Sequence, residues 1–186
     1  MKRTIDILIS ALLLIVLAPI FIILAVAVRW TSTGPAVFVS RRVGARNEIF
    51  EMLKFRTMRT DTPQVATHLL DEPQAFLTPI GSFLRKTSLD ELPQLINVLC
   101  GEMSIVGPRP ALFNQQDLID LRTKSGVHFL VPGLTGWAQV NGRDELSIPV
   151  KVEYDSFYMK HQSLGFDFKI LLLTVGKVFG RSGVSH

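Results

Sequence analysis

From Ile7 to Val28 the chain runs 22 residues without a charge, and Pro19 stands near the centre of the run. At ~1.5 Å rise per residue, such a segment just reaches across the ~30 Å hydrocarbon core of a bilayer as a straight helix. Proline opposes straightness. It lacks an N–H, and its ring clashes with the carbonyl of Ile15, so a kink or break is expected near Ala18. Both flanks are basic, with Lys2 and Arg3 before the run and Arg29, Arg41, Arg42 and Arg46 after it. An excess of Lys and Arg marks the cytoplasmic side of a span, so matched flanks give no reason to separate the two ends. Residues 1–32 therefore read as a re-entrant helix pair that dips into one leaflet and returns. A spanning helix remains an alternative, as does a cleavable signal peptide with Ala25-Val26-Ala27 as its cleavage site. Backbone groups freed at the break would need cover from packed protein or headgroups, because hydrocarbon cannot satisfy them.

Composition agrees with membrane association: hydrophobic residues make up 47% of the chain and mean hydropathy is +0.31, more than a soluble core demands. A single cysteine, Cys100, excludes an intramolecular disulfide, and nothing points to an oxidising compartment. The net charge of +4 suits anionic headgroups or phosphorylated substrates. Nucleic acid is not expected, because the basic residues are dispersed and form no binding motif.

Residues 33–186 suffice for one domain with one core, read as a small α+β unit seated on a membrane. Ala36 to Ser40 and Ile49 to Phe55 flank the turn-like Gly44-Ala45-Arg46-Asn47 and predict a hairpin. Thr60 to Gln74, with Pro63 and Pro73, reads as a mobile polar loop. Phe166 to Val178 is very apolar and predicts a helix that is buried or lies in the interface. His68, His128, His161 and His186 show no zinc-ligand spacing with Cys100. Trp137 reads as packing or an interface anchor, and Asn141-Gly142 as a turn.

Chemistry concentrates between Ser88 and Leu99. Leu92, Leu95, Ile96 and Leu99 recur at helical spacing and predict one buried face. Ser88 then falls at the N-cap, with Glu91 completing a capping box and Asp90 at the second helical position. Capping alone would account for both carboxylates. Their neighbours suggest more: Arg85 and Lys86 precede the pair, and Gly107-Pro108-Arg109-Pro110 follows it. N–H groups and guanidinium forks hold phosphate oxygens, and a carboxylate can share Mg²⁺ with a pyrophosphate or attack phosphorus directly.

Lys54-Phe55-Arg56-Thr57-Met58, Ser88 to Leu95, Gly107-Pro108-Arg109-Pro110, Pro132-Gly133-Leu134-Thr135-Gly136 and Gln139-Val140-Asn141-Gly142-Arg143 together resemble the bacterial sugar transferases, the monotopic phosphoglycosyl transferases. The likeness extends from the proline-broken helix to Arg181-Ser182-Gly183-Val184-Ser185. It implies transfer of a sugar-1-phosphate from a UDP-sugar to polyprenyl (undecaprenyl) phosphate, with release of UMP. That step opens glycan or glycoconjugate assembly on the cytoplasmic face of a bacterial inner membrane. The resemblance makes Asp90 the nucleophile of a covalent phosphosugar intermediate and Glu91 its partner in Mg²⁺ or proton handling, with both as metal ligands. It makes Lys54, Arg85 and Arg109 phosphate-binding and Arg143 a donor-pocket residue. Membrane lipids are implied partners, and a homo-oligomer or contact with downstream glycosyltransferases is compatible with it. The length resembles a minimal catalytic unit. One departure stands out: many members carry Ser before the membrane proline, where this chain has Ala18. The competing reading is a membrane-anchored, non-catalytic scaffold in which Ser88 to Glu91 only caps a helix.

Overall fold

The computed structural model describes residues 1–63, 73–142 and 145–180. Pro19 breaks the apolar segment: α1 (Lys2–Val16) and α2 (Ala18–Thr31) meet at Leu17 with a bend of 64°. The proline sits in the first turn of α2, where a missing N–H has no intrahelical partner to lose. Leu17 N–H still donates to Leu13 at 2.9 Å, and the Leu17 carbonyl accepts from Phe21 N–H at 2.9 Å. Ala18 therefore needs no hydroxyl for these two bonds. Among the described residues no single helix is long and apolar enough to cross a membrane; the bent pair satisfies length and composition only when taken together.

The hairpin forms, with β1 (Val37–Val43) antiparallel to β2 (Ile49–Phe55) and Val37 opposite Phe55. Arg46 and Asn47 turn the chain at positive φ. Alternation buries Phe50 and Met52 on β2. A short β4 (Ala111–Leu112) extends this sheet in the order β2-β1-β4, while β3 (Ser104–Val106) and β5 (Gly133–Thr135) make a separate parallel pair. Helices α3 (Gly81–Lys86), α4 (Gln94–Cys100), α5 (Gln116–Lys124), α6 (Trp137–Val140), α7 (Ile148–His161) and α8 (Leu164–Gly180) complete an α+β fold. The main core gathers Leu95 and Val98 of α4, Ile105 and Val106 of β3, Tyr158 of α7 and Ile170 of α8.

Polar side chains tie both arms of the broken helix to this body. Lys2 pairs with Asp167 at 2.7 Å; buried Asp6 accepts from Ser104 Oγ at 2.8 Å and Ile105 N–H at 3.1 Å. Arg3 donates to the carbonyls of Val98 and Leu99 at the end of α4. Past the end of α2, the buried Arg56 guanidinium donates to the carbonyls of Thr33 and Ser32 and to Ser32 Oγ. The outward faces stay apolar, with Leu8, Leu12 and Ile15 exposed on α1 and Ile22, Ile23 and Val26 exposed on α2. The expected C-terminal helix forms: α8 buries Asp167 and Ile170 on one side and exposes Phe168, Leu172, Leu173 and Val175 on the other.

Residues 64–72 of the loop expected from Thr60 to Gln74 lie outside the described residues, as do Arg143, His68, His186 and the motif Arg181 to Ser185.

Candidate active site

The segment around the two carboxylates is built differently from the capping box expected of it. Ser88 adopts a left-handed backbone, φ 56° and ψ 17°, and its side chain makes no capping bond. It closes α3, its N–H donating to Arg85 O at 3.1 Å. Leu89–Glu91 then form a single 3-10 turn, and the α-helix starts only after Pro93. Proline is tolerated at a helix start and not inside one, so Pro93 sets the boundary. Asp90 therefore does not occupy the second position of an α-helix, and the dipole argument built on that position fails.

The predicted buried face is also divided. Leu95 is 1% exposed but Ile96 is 41% exposed, and the buried stripe of α4 is Gln94, Leu95, Asn97 and Val98. Asn97 is drawn inward by β2: its Oδ1 accepts from Leu53 N–H at 3.0 Å and its Nδ2 donates to Glu51 O at 2.7 Å. Leu89 and Leu92 instead join Leu24, Val28, Phe55 and Leu84 in a second core built on α2. The carboxylate turn thereby shares a core with the second arm of the broken helix, in which Phe21 and Phe55 meet with ring centroids 5.6 Å apart.

Lys54, at the end of β2, donates to Glu91 Oε1 at 3.0 Å, and Arg109 Nη2 donates to the same oxygen at 2.9 Å. Glu91 is thus clasped by two cations from separate parts of the chain. Asp90 is only 7% exposed, and among the described residues its side chain makes no hydrogen bond or ion pair. Burial raises its pKa above the ordinary 3.8; Lys54, Arg85 and Arg109 oppose the rise, and Glu91 adds to it. Burial likewise lowers the pKa of Lys54, against the pull of Glu91. Arg85 is fixed through Nε to Thr57 Oγ1 at 3.0 Å. The structure thus brings together Lys54, Arg85, Asp90, Glu91 and Arg109; Arg143 lies outside the described residues.

The four residues from Lys54 to Thr57 do four different things. Lys54 holds Glu91, Phe55 packs on α2, Arg56 closes the end of α2, and Thr57 fixes Arg85. Sequence reasoning assigns a role to Lys54 alone. The signal for the others is the polar character of Arg56 and Thr57 immediately after an apolar strand.

Arg109 is delivered by a glycine-dependent junction. Gly107 N–H donates to Thr135 O and Gly133 N–H to Pro108 O, both at 2.8 Å. A Cβ on Gly133 would stand 2.0 Å from Gly107 N, so only glycine allows the two motifs to meet.

Among the described residues, Lys54, Arg85 and Arg109 surround the carboxylates of Asp90 and Glu91, a balance that favours an incoming anion. The described residues hold no cluster of three or more His, Cys, Asp or Glu able to bind a metal. Mg²⁺ commonly uses one or two carboxylates plus substrate phosphates. Asp90 and Glu91 are the two carboxylates that would hold such an ion.

Comparison with known proteins identifies the family. The family model described as bacterial sugar transferase matches residues 1–181. The chain is 41% identical over 188 residues to the UDP-glucose:undecaprenyl-phosphate glucose-1-phosphate transferase of Escherichia coli (strain K12), covering 96% of this chain and 40% of that protein. It is 38% identical over 200 residues to the undecaprenyl-phosphate galactose phosphotransferase of Salmonella typhimurium, covering 98% and 41%. It is 38% identical over 197 residues to the exopolysaccharide production protein ExoY of Sinorhizobium fredii, covering 95% and 84%. The chain thus spans about two fifths of the length of the first two of these relatives. With a match this extensive, and with Lys54, Asp90, Glu91 and Arg109 meeting at one place, the chain belongs to the bacterial sugar transferase family.

Proposed function

We propose that the protein transfers a sugar-1-phosphate from a UDP-sugar to polyprenyl phosphate, releasing UMP. One observation carries this: Asp90 is a buried carboxylate with no hydrogen bond or ion pair among the described residues, set in the field of Lys54, Arg85 and Arg109. Glu91, by contrast, is engaged by Lys54 and Arg109 and orients them. Asp90 in its ionised form attacks the phosphorus next to the sugar. The new bond is an acyl phosphate, the pyrophosphate P–O bond breaks, and UMP leaves with the electron pair. An oxygen of polyprenyl phosphate then attacks the same phosphorus, forming the diphosphate-linked sugar and restoring the Asp90 carboxylate. Arg85 and Arg109 bind phosphate oxygens, and their fixed charges stabilise the transferring phosphoryl group. Mg²⁺, held by Asp90 or Glu91 with the pyrophosphate, would supply charge neutralisation of the departing UMP.

We further propose a re-entrant disposition of α1 and α2 in the cytoplasmic leaflet. Lys2, Arg3 and Asp6 fasten the beginning of α1, and Arg56 fastens the end of α2, to the same compact body. A helix crossing ~30 Å of hydrocarbon would carry its ends apart. The exposed apolar faces of α1, α2 and α8 suit lipid, and the second core packs α2 beside the carboxylate turn, where a lipid-linked phosphate arrives.

The relatives' names include both glucose and galactose transfer, so the sugar stays open for this chain. The test is direct: the full chain in detergent, incubated with a panel of UDP-sugars and undecaprenyl phosphate, should release UMP with at least one donor. No release with any donor, in folded protein supplied with Mg²⁺, would overturn the proposal.

A further inference from the structure

Arg109 lies between Pro108 and Pro110, so the loop that carries it lacks two of its backbone donors. The loop is held by its carbonyls instead. Pro108 O accepts from Gly133 N–H at 2.8 Å, Arg109 O from Arg122 Nη1 at 2.8 Å, and Pro110 O from Arg42 Nη1 at 3.3 Å. Only one of these three donors acts on Arg109 itself. Arg122, on α5, is in turn gripped by Asp155 of α7, whose Oδ2 accepts from Nε at 3.0 Å and from Nη2 at 2.6 Å. The Arg122 and Asp155 side chains are 11% and 2% exposed.

We propose that Arg122, fixed by Asp155, is the positioning residue for Arg109, setting where the Arg109 guanidinium meets Glu91 and the donor diphosphate; the part concerning the donor rests on the proposed function. The geometry is specific to arginine. Its planar fork presents Nε and Nη2 to one carboxylate while Nη1 points to another acceptor. A lysine ammonium can pair with Asp155 but cannot span both partners in that plane. Stability alone does not explain the arrangement, because burying an ion pair generally yields little net stabilisation over an apolar pair of the same shape. The pair also sits outside the carboxylate site, on two helices that contribute no group to Glu91 or Asp90 among the described contacts.

The test is a double-substitution cycle on the full chain in detergent, with Arg122→Lys, Arg109→Lys and both together. Loss of one hydrogen bond to the loop should lower kcat/KM for the UDP-sugar by about three- to tenfold in Arg122→Lys. In the Arg109→Lys background the same change should add less than about twofold, since the fork being positioned is already gone. Amide hydrogen exchange supplies a readout that needs no turnover. Exchange at Gly107 and Gly133, whose N–H groups donate to Thr135 O and Pro108 O, should accelerate in Arg122→Lys while Leu53, in the hairpin, stays unchanged. Effects that multiply in the double variant, or unaltered exchange at Gly107 and Gly133, would overturn the proposal. Should Arg122→Lys fail to fold, Asp155→Glu shifts the same fork by one methylene and is read by the same two criteria. If the unsubstituted protein releases no UMP, the transferase assignment fails separately, and the exchange measurement still decides the positioning role.

Discussion

Lys54 crosses from the end of β2 to donate to Glu91 Oε1 at 3.0 Å, and in doing so it leaves the neighbouring Asp90 in the field of a lysine it does not touch. Two adjacent carboxylates thereby acquire different roles. Glu91 is neutralised and fixed; Asp90 is buried, and its charge depends on cations set at a distance.

Lys54→Met tests this division. The proposed attack needs ionised Asp90, whose pKa is raised by burial, so the rate should fall with decreasing pH at a point above the usual carboxylate value of 3.8. Removing Lys54 deletes a cation that lowers the Asp90 pKa, so the acid limb of kcat/KM should move to still higher pH. A loss of about ten- to a hundredfold at neutral pH is expected from the missing charged hydrogen bond. An unshifted acid limb would mean that Asp90 is not the group titrating.

Ser88 offers a stability test. In a capping box Ser88→Ala would cost about 1 kcal/mol. Because Ser88 instead closes α3 at φ 56° without a capping bond, alanine should be close to neutral. Ser88→Gly should stabilise by about 0.5–1 kcal/mol, since relief of the left-handed penalty exceeds the entropic cost of glycine. Denaturant midpoints of the two variants decide between the arrangements.

Local features of the chain are legible in the sequence where one residue type decides the backbone. The hairpin is legible because Phe50 and Met52 alternate in a strand that follows a turn at Gly44 to Asn47. The broken helix is legible because Pro19 has no backbone donor. The carboxylates, Arg85 and Arg109 can be grouped from local spacing and resemblance. Their partners cannot: Lys54 reaches Glu91 across 37 positions, and β3 pairs with β5 because glycines at 107 and 133 permit backbone contact. The capping box misleads because Ser-x-x-Glu spacing fits either end of a helix, and Pro93 is the residue that distinguishes them. Arg122 and Asp155 lie on helices with ordinary surface-like charge patterns, so nothing local marks them as a buried pair.

Membrane topology can be read by single-cysteine labelling. Cys100 is exposed and would react, so Cys100→Ser comes first. Cysteines introduced at positions 2 and 41 should both be reachable only from the cytoplasmic side. Labelling of position 2 from outside, with position 41 reachable only from inside, would contradict the re-entrant arrangement.

Metal dependence follows from the carboxylate pair. On the proposed role of Mg²⁺, held by Asp90 or Glu91 together with substrate phosphates, exhaustive chelation should reduce turnover to background and Mg²⁺ should restore it. Full turnover after chelation would remove Mg²⁺ from the mechanism.

The most direct test of the central claim gives the protein a UDP-sugar without any lipid acceptor. Asp90→Asn should abolish turnover whether Asp90 is a nucleophile or a base, so that variant alone does not discriminate. The covalent route predicts UMP release up to one equivalent per active site and a sugar-phosphate mass on the peptide containing Asp90. Protein that turns over fully with acceptor present, yet shows neither the burst nor the adduct without it, would contradict nucleophilic attack by Asp90.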